Sequence, residues 1–170
     1  MKLLIIGTID ADYENREEVL CERILVEMEQ GGHETDLIYL PFKRDLLNAA
    51  EQIFAYSLVD TAGADAIITV GYPACFVPHS NERKVSYLFD CYPEIHEKFI
   101  FQLREHRVEE RQRVIEAITL AERKAFAATK RVFTGSEELY LSMNERYGVV
   151  AGFLPSDDVD LSKKIECVLL

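Results

Sequence analysis

The sequence lacks the patterns that mark several common classes of protein. None of its four cysteines is paired as Cys-x-x-Cys, so neither a zinc ribbon nor a thioredoxin-like redox site is indicated. Scattered single cysteines are typical of reduced thiols in the cytosol, which predicts a cytoplasmic location. The N-terminus lacks the long apolar core of a signal peptide, and no apolar run approaches the ~20 residues that cross a bilayer. We therefore expect no transmembrane segment.

Basic residues are also fewer than acidic ones. The 170 residues include 30 acidic and 19 basic side chains, which gives a formal net charge of −11. Proteins that bind nucleic acids usually carry a basic face, so the composition predicts that nucleic acid is not a partner. The same charge weakens the case for docking on an anionic membrane.

The glycine patterns of nucleotide-binding loops are absent. The first predicted loop, Gly7–Tyr13, does not contain GxGxxG, and no GxxxxGK[ST] phosphate loop occurs elsewhere. The GxSxG pattern of a nucleophile elbow is missing too. Cys75, Cys91 and His96 lack the fixed spacing of zinc ligands. We therefore expect neither a metal nor a cofactor.

Short apolar runs alternate with amphipathic segments along the chain. The apolar runs predict six buried strands, at Leu3–Ile6, Thr35–Leu40, Ala66–Val70, Val85–Phe89, Arg131–Thr134 and Val149–Leu154. The amphipathic segments predict helices at about Asn15–Gln30, Leu46–Gly63, Lys98–Thr129 and Ser136–Tyr147. This alternation predicts an α/β fold: a doubly wound, Rossmann-like parallel sheet of about six strands, with helices on both faces.

Two kinds of residue set the predicted boundaries. Gly31 and Gly32 end the first helix, because glycine tolerates a left-handed cap, and Pro41 is predicted to end the second strand. One domain is expected over residues 1–156, followed by a C-terminal tail or interdomain-linker remnant at 157–170.

Ligands of parallel sheets bind beyond the carboxyl ends of the strands, so the loops after strands one, three, four and five are the candidate positions. Asp10 and Asp12 suit hydrogen bonds to sugar hydroxyls, or alternatively a cap of the following helix. His79 and Asp90 are candidate proton acceptors or hydrogen-bond anchors, with a simply solvated loop residue as the alternative. Ser136 is predicted to cap the helix that it precedes.

The middle of the long predicted helix is dense in charges of both signs, from Arg104 to Arg113. A solvated face with a Glu109–Arg113 pair is one interpretation of this pattern. A dock for an acidic partner is the other.

Four segments, in order, resemble the N-terminal domain of family 4 glycosyltransferases, also called group 1, which have the GT-B fold. They are Glu29–Leu37, Ala64–Leu88, Ala128–Glu137 and Tyr147–Ser156. The first is similar to the family's helix–Gly-His-Glu–strand junction, and the second to a strand, proline loop and strand. The third is similar to a strand-to-helix turn that opens toward the interdomain cleft, and the fourth to the crossing into the second domain.

The resemblance implies a hexosyltransferase-type glycosyltransferase in which this chain is the acceptor-binding half. The substrates would be a nucleotide-sugar donor and a sugar or lipid-linked acceptor. Asp90 stands at or beside the position of a family histidine near the reacting sugar, and is the catalytic candidate. Ser136 and Glu137 would face the cleft and the donor phosphate. The acceptor would be bound by Thr8, Asp10, Asp12, Tyr72, His79 and Tyr92.

The chain also departs from the family pattern. The histidine position reads Phe89-Asp90-Cys91, and the Gly-rich acceptor loop after the first strand is missing. The second domain, which supplies most donor contacts in the family, has no counterpart in these residues. The chain is therefore expected to be inactive alone and to need a C-terminal donor domain on another chain, or a homo-oligomer. The alternatives are a stand-alone flavodoxin-like or Rossmann-like module that binds a small ligand or nucleotide, and a non-catalytic regulatory subunit.

Overall fold

The computed structural model describes residues 1–10, 16–42, 46–89 and 108–170. Its strands are β1 Lys2–Asp10, β2 Glu34–Phe42, β3 Ala66–Val70, β4 Lys84–Leu88, β5 Arg131–Thr134 and β6 Gly152–Phe153. Its helices are α1 Arg16–Gln30, α2 Leu46–Ser57, α3 Val108–Ala127, α4 Glu137–Tyr147 and α5 Leu161–Leu169. None of these helices is both long enough and apolar enough to span a bilayer.

The six strands form one parallel sheet in the order β2-β1-β3-β4-β5-β6. The predicted doubly wound, Rossmann-like sheet is thereby confirmed. The register places Gly7 beside Val70 and Leu88 beside Thr134, so the carboxyl ends of four strands share one edge. We call this the carboxyl edge, and the opposite side the amino edge.

Helices cover both faces of the sheet, as the sequence predicts. Helices α1 and α5 pack on one face, where Ile24 and Ile165 join the strand residues Ile5 and Val85. Helices α2, α3 and α4 pack on the other face, against residues such as Ile67. The strands between them are buried on both sides, which explains their continuous apolar runs.

The end of α1 follows the predicted glycine stop. Gly32 has a φ of +85°, and the amide of His33 donates to the carbonyl oxygen of Met28 at 3.1 Å. Glycine adopts this left-handed conformation without a steric cost, so the helix ends at Gln30 and β2 begins four residues later.

The predicted end of the second strand at Pro41 is wrong, because β2 continues through Pro41 to Phe42. Among the strands that the structure describes, β2 lies at the edge of the sheet and pairs with β1 alone. Proline lacks an amide donor, and an edge strand tolerates it because one side of the strand needs no ladder hydrogen bonds.

The segment after Ser156 contains α5, a helix that the sequence pattern left unassigned. Leu161, Ile165 and Leu169 are spaced four residues apart. They are buried in the core on the face of the sheet that α1 also covers. His33 Nε2 lies 2.8 Å from Glu166 Oε1, which ties the turn before β2 to this helix. The C-terminal segment thus belongs to the packed core.

Two further boundaries differ in extent. Strand β6 covers Gly152–Phe153 rather than Val149–Leu154, because the Ala151 amide donates to Val149 and Asn144 instead of to a neighbouring strand. Of the long predicted helix, residues 108–127 are helical, and residues 98–107 lie outside the described part of the chain.

Candidate functional site

A cleft of about 550 Å³ opens at the carboxyl edge of the sheet. Three parts of the chain form it: the first two turns of α1, the end of β4 and the segment that follows β6. We call it the carboxyl-edge cleft, and its lining residues are Arg16, Val19, Leu20, Arg23, Phe89, Ser156 and Asp157.

An aromatic ring and a guanidinium group form one wall of the cleft. The Arg16 guanidinium carbon lies 4.7 Å from the centre of the Phe89 ring, within the range of a cation–π contact. Arg16 Nε also donates to Glu17 Oε1 at 3.3 Å. These contacts hold the half-exposed Arg16 side chain over one part of the Phe89 surface.

Phe89 is fixed from below by Tyr87, the buried aromatic residue of β4. The two rings meet edge to face, with centroids 5.1 Å apart and planes at 61°. The Tyr87 hydroxyl donates to the Leu154 carbonyl oxygen at 2.7 Å. Burial raises the pKa of Tyr87 above its usual value, so the hydroxyl stays protonated as a donor. Strand β4 and the segment after β6 are thereby joined beneath the cleft.

Arg23 holds the opposite wall in place. Its guanidinium donates to the carbonyl oxygens of Ser156 at 2.8 Å and Asp158 at 2.6 Å, and to Glu27 Oε1 at 2.7 Å. The fork geometry of arginine suits several simultaneous acceptors. Arg23 therefore acts as an anchor that sets the distance between α1 and the segment after β6.

The cleft combines an apolar wall with a cation, a hydroxyl and a carboxylate. Val19, Leu20 and Phe89 supply apolar surface, while Arg16 and Asp157 supply the charges. Binding sites for small organic ligands have this composition, with apolar walls and a few polar groups. Among the residues that the structure describes, no three acidic, histidine or cysteine side chains cluster closely enough to hold a metal ion.

The sequence-predicted residues at the ends of β1 and β3 are largely buried. Thr8 is 5% exposed near the end of β1, and Tyr72 is 3% exposed just beyond β3. The Tyr72 ring packs edge-on against Phe42 and Phe76, at centroid distances of 6.2 and 5.4 Å. In this structure both are core residues, and neither lines the carboxyl-edge cleft.

His79 lies at the amino edge, far from the other predicted acceptor residues. The connection between β3 and β4 has no α-helix and crosses the face of the sheet through the buried turn Ala74–Phe76. It therefore carries His79 back to the start of β4, where Nδ1 lies 3.1 Å from Thr61 Oγ1. Since Thr61 precedes β3, the structure does not bring His79 to the carboxyl edge.

Ser136 is the N-cap of α4, as predicted, since its Oγ accepts a hydrogen bond from the Leu139 amide at 3.2 Å. Ser136 and Glu137 are both exposed at the carboxyl edge, directly after β5. The remaining predicted residues fall outside what the structure describes: the side chain of Asp10, and the whole of Asp12, Asp90 and Tyr92.

Sequence reasoning did not single out Arg16, Phe89, Ser156 and Asp157 as site residues. Phe89 directly precedes the predicted Asp90 and follows a buried strand, which is the signal that identifies it. Arg16 and Asp157 carry no such signal, because 140 residues of chain separate them and only the packing of α1 and α5 on the same face of the sheet brings them to one cleft.

A second group of polar side chains is enclosed in the core between the sheet and α3. The Tyr147 hydroxyl donates to Glu122 Oε2 at 2.6 Å, and Glu122 is fully buried. Burial and the nearby Glu122 carboxylate raise the pKa of Tyr72 well above its usual value. Among the described residues, the Tyr147–Glu122 hydrogen bond links α4 to α3.

Two comparisons with known proteins found no match to this sequence. No model of a known protein family matches the chain, and a search of curated proteins finds no significant match.

Proposed function

We propose that this chain is the acceptor-binding half of a glycosyltransferase, which moves a sugar from a nucleotide-sugar donor to an acceptor together with a donor-binding domain. The observation that carries the proposal is the carboxyl-edge cleft. It has a volume of about 550 Å³, and Phe89, Arg16, Ser156 and Asp157 are among its lining residues. A donor domain placed over this edge would enclose the cleft.

The chemistry of the cleft suits a sugar. Sugar rings present apolar C–H faces, which pack on aromatic rings, and hydroxyl groups, which bond to carboxylates, hydroxyls and guanidinium groups. The Phe89 ring and the carboxylate of Asp157 offer both kinds of partner. The volume lies within the roughly 300–1,000 Å³ that small-molecule sites usually have.

The segments that resemble the glycosyltransferase family fall on the kinds of element that the resemblance implies, namely junctions between helices and strands. Glu29–Leu37 joins α1 to β2, and Ala64–Leu88 spans the neighbouring strands β3 and β4. Ala128–Glu137 leads through β5 to the start of α4, whose first amides lie at the carboxyl edge. Helix N-termini attract phosphate groups, which suits a donor phosphate near Ser136, whereas the carboxylate of Glu137 would repel such a group.

The sheet order supports a second candidate, a stand-alone binding module. The order β2-β1-β3-β4-β5 is that of flavodoxin-like sheets, which bind a nucleotide cofactor where the order reverses between β1 and β3. At that point Thr8 is 5% exposed, and the space beside Gly71 is so narrow that an added Cβ atom would lie 2.5 Å from Thr8 Oγ1. The close packing there favours the carboxyl-edge cleft as the ligand site.

The test is an NMR titration of the whole ¹⁵N-labelled chain with monosaccharides and sugar phosphates, and separately with UDP, GDP and nucleotide sugars. We expect sugars to shift the amide resonances of Phe89, Ser156 and Asp157, and nucleotides to shift none. Phe89→Ala should abolish the sugar response. Phe54→Ala is the matched control, because Phe54 is an exposed aromatic residue on α2, away from the cleft.

Two results would contradict the proposal. Tight binding of one nucleotide would favour the stand-alone module, and an unchanged sugar response in Phe89→Ala would remove the cleft as the acceptor site. The catalytic prediction for Asp90 needs the assembled enzyme: Asp90→Ala should suppress sugar transfer, and full activity of that variant would make the prediction wrong.

A further inference from the structure

Five basic side chains gather at the amino edge, where α3 and α4 end and β5 and β6 begin. The carbonyl oxygen of Arg146 accepts from Arg123 Nη2 at 3.5 Å, and that of Val150 accepts from Arg131 Nη1 at 3.2 Å. The first contact joins α3 to the end of α4, and the second joins the start of β5 to the segment before β6. We call the group the basic patch: Arg123, Lys124, Lys130, Arg131 and Arg146.

The basic patch is unusual in so acidic a chain. Among the other basic side chains that the structure describes, ion pairs with a carboxylate within 4 Å are formed by Lys2, Arg16, Arg23, Lys163 and Lys164, and not by Arg83, Lys84 and Arg113. No member of the basic patch forms an ion pair with any residue in the described ranges, although acidic residues outnumber basic ones by 30 to 19. Within the described ranges, the acidic side chains are therefore not arranged to neutralise this surface.

The fold itself accounts for only part of this charge. The C-terminal end of a helix carries about −0.5 of an elementary charge, so α3 and α4 together offset about one positive charge. Glu145, exposed beside Arg146, offsets one more. About three of the five positive charges remain for an external partner.

Apolar side chains accompany the cations. Leu120 on α3 is 55% exposed and Val150 before β6 is 76% exposed. A surface that presents cations around exposed aliphatic groups fits a partner with the complementary pattern of carboxylates and apolar side chains.

We propose that the basic patch docks an acidic segment of a partner protein. Charge is screened over about 8 Å at physiological salt, so a narrow acidic segment interacts with the patch alone. A bilayer or a DNA duplex is broader, and would also face the carboxylates that give the chain its net charge of −11. The patch lies at the edge opposite the carboxyl-edge cleft, so that a docked partner leaves the cleft open.

The experiment measures binding of fluorescently labelled poly-L-glutamate to the whole chain by anisotropy, at low and physiological salt. We expect binding that weakens as salt increases, even though both molecules are acidic. Lys124→Gln combined with Lys130→Gln should weaken binding by about tenfold, which corresponds to about 1.4 kcal/mol for the two charges together. Both lysines are exposed, so the variant is expected to fold.

The matched control is Lys2→Gln combined with Lys163→Gln, which removes two lysines that are already paired with carboxylates. We expect this control to bind poly-L-glutamate as the wild type does. Absence of wild-type binding, or equal weakening in both double variants, would overturn the proposal. Binding of phosphatidylserine vesicles or duplex DNA without binding of poly-L-glutamate would overturn it too.

Discussion

The Lys84 ammonium nitrogen donates a hydrogen bond of 2.6 Å to the carbonyl oxygen of Cys75, and both side chains are fully buried. A second bond, of 2.8 Å, runs to the carbonyl oxygen of Val77. Both carbonyls belong to the connection between β3 and β4, which has two short 3-10 turns and no α-helix. The buried lysine therefore fastens this connection to the first residue of β4.

Lys84 makes stability depend on pH in a predictable direction. Burial lowers the pKa of Lys84 from 10.5 to about 8, so the unfolded chain binds more protons than the folded one between these values. The free energy of unfolding contributed by Lys84 should therefore rise with pH, by about 2–3 kcal/mol between about pH 7.5 and about pH 10.

The measurement is urea unfolding of wild type and Lys84→Met across this pH range. Other groups titrate nearby, since burial raises the pKa of the Cys21 thiol to about 12, and this opposes the lysine by destabilising the folded state at high pH. Subtracting the variant from the wild type cancels such groups. A difference that stays constant with pH would show that Lys84 is not the titrating group.

Tyr87→Phe should destabilise the fold by about 1–2 kcal/mol. The substitution removes the 2.7 Å bond to the Leu154 carbonyl oxygen and leaves that oxygen buried without this donor. Tyr140→Phe is the control, because the half-buried Tyr140 hydroxyl makes no hydrogen bond with a described residue. Chemical denaturation of both variants tests the prediction, which fails if they lose equal stability.

Local sequence signals predicted the architecture because each acts within a few residues. Continuous apolar runs marked strands buried on both faces, and Gly32 marked the left-handed end of α1. The prediction from Pro41 was wrong because proline ends a central strand but is tolerated in an edge strand. The edge position of β2 follows only from the sheet order.

The candidate site was less predictable because it depends on distant parts of the chain. Arg16 and Asp157 meet only because α1 and α5 pack on the same face of the sheet. His79 follows β3 in sequence, and yet the connection returns it to the amino edge. A position after a strand therefore places a residue at the carboxyl edge only where the loop is short, and the connection that crosses the sheet carries His79 away from that edge.

Gly71→Ala and Gly32→Ala separate backbone strain from steric contact. Both glycines have a φ of +85°, so alanine costs about 1–2 kcal/mol at either position. A Cβ atom at Gly71 would lie 2.5 Å from Thr8 Oγ1, whereas one at Gly32 would meet nothing within 4 Å. Gly71→Ala should therefore be the more destabilising by at least about 1 kcal/mol in urea unfolding. Equal losses would mean that Thr8 moves aside freely.

Arg23→Lys should loosen the wall of the carboxyl-edge cleft while keeping its charge. Lysine lacks the planar fork that reaches Glu27 and the carbonyls of Ser156 and Asp158 together. The turn amides of Asp158 and Leu161, which bond within this segment, should exchange hydrogen about tenfold faster, equivalent to about 1.4 kcal/mol of lost local stability. Arg83→Lys is the matched control, since Arg83 is exposed and contacts only the Met1 sulfur among the described residues, at 3.7 Å. Unchanged exchange in Arg23→Lys would show that other contacts, such as the Tyr87–Leu154 bond and the Asp158–Lys164 ion pair, position the segment without the arginine.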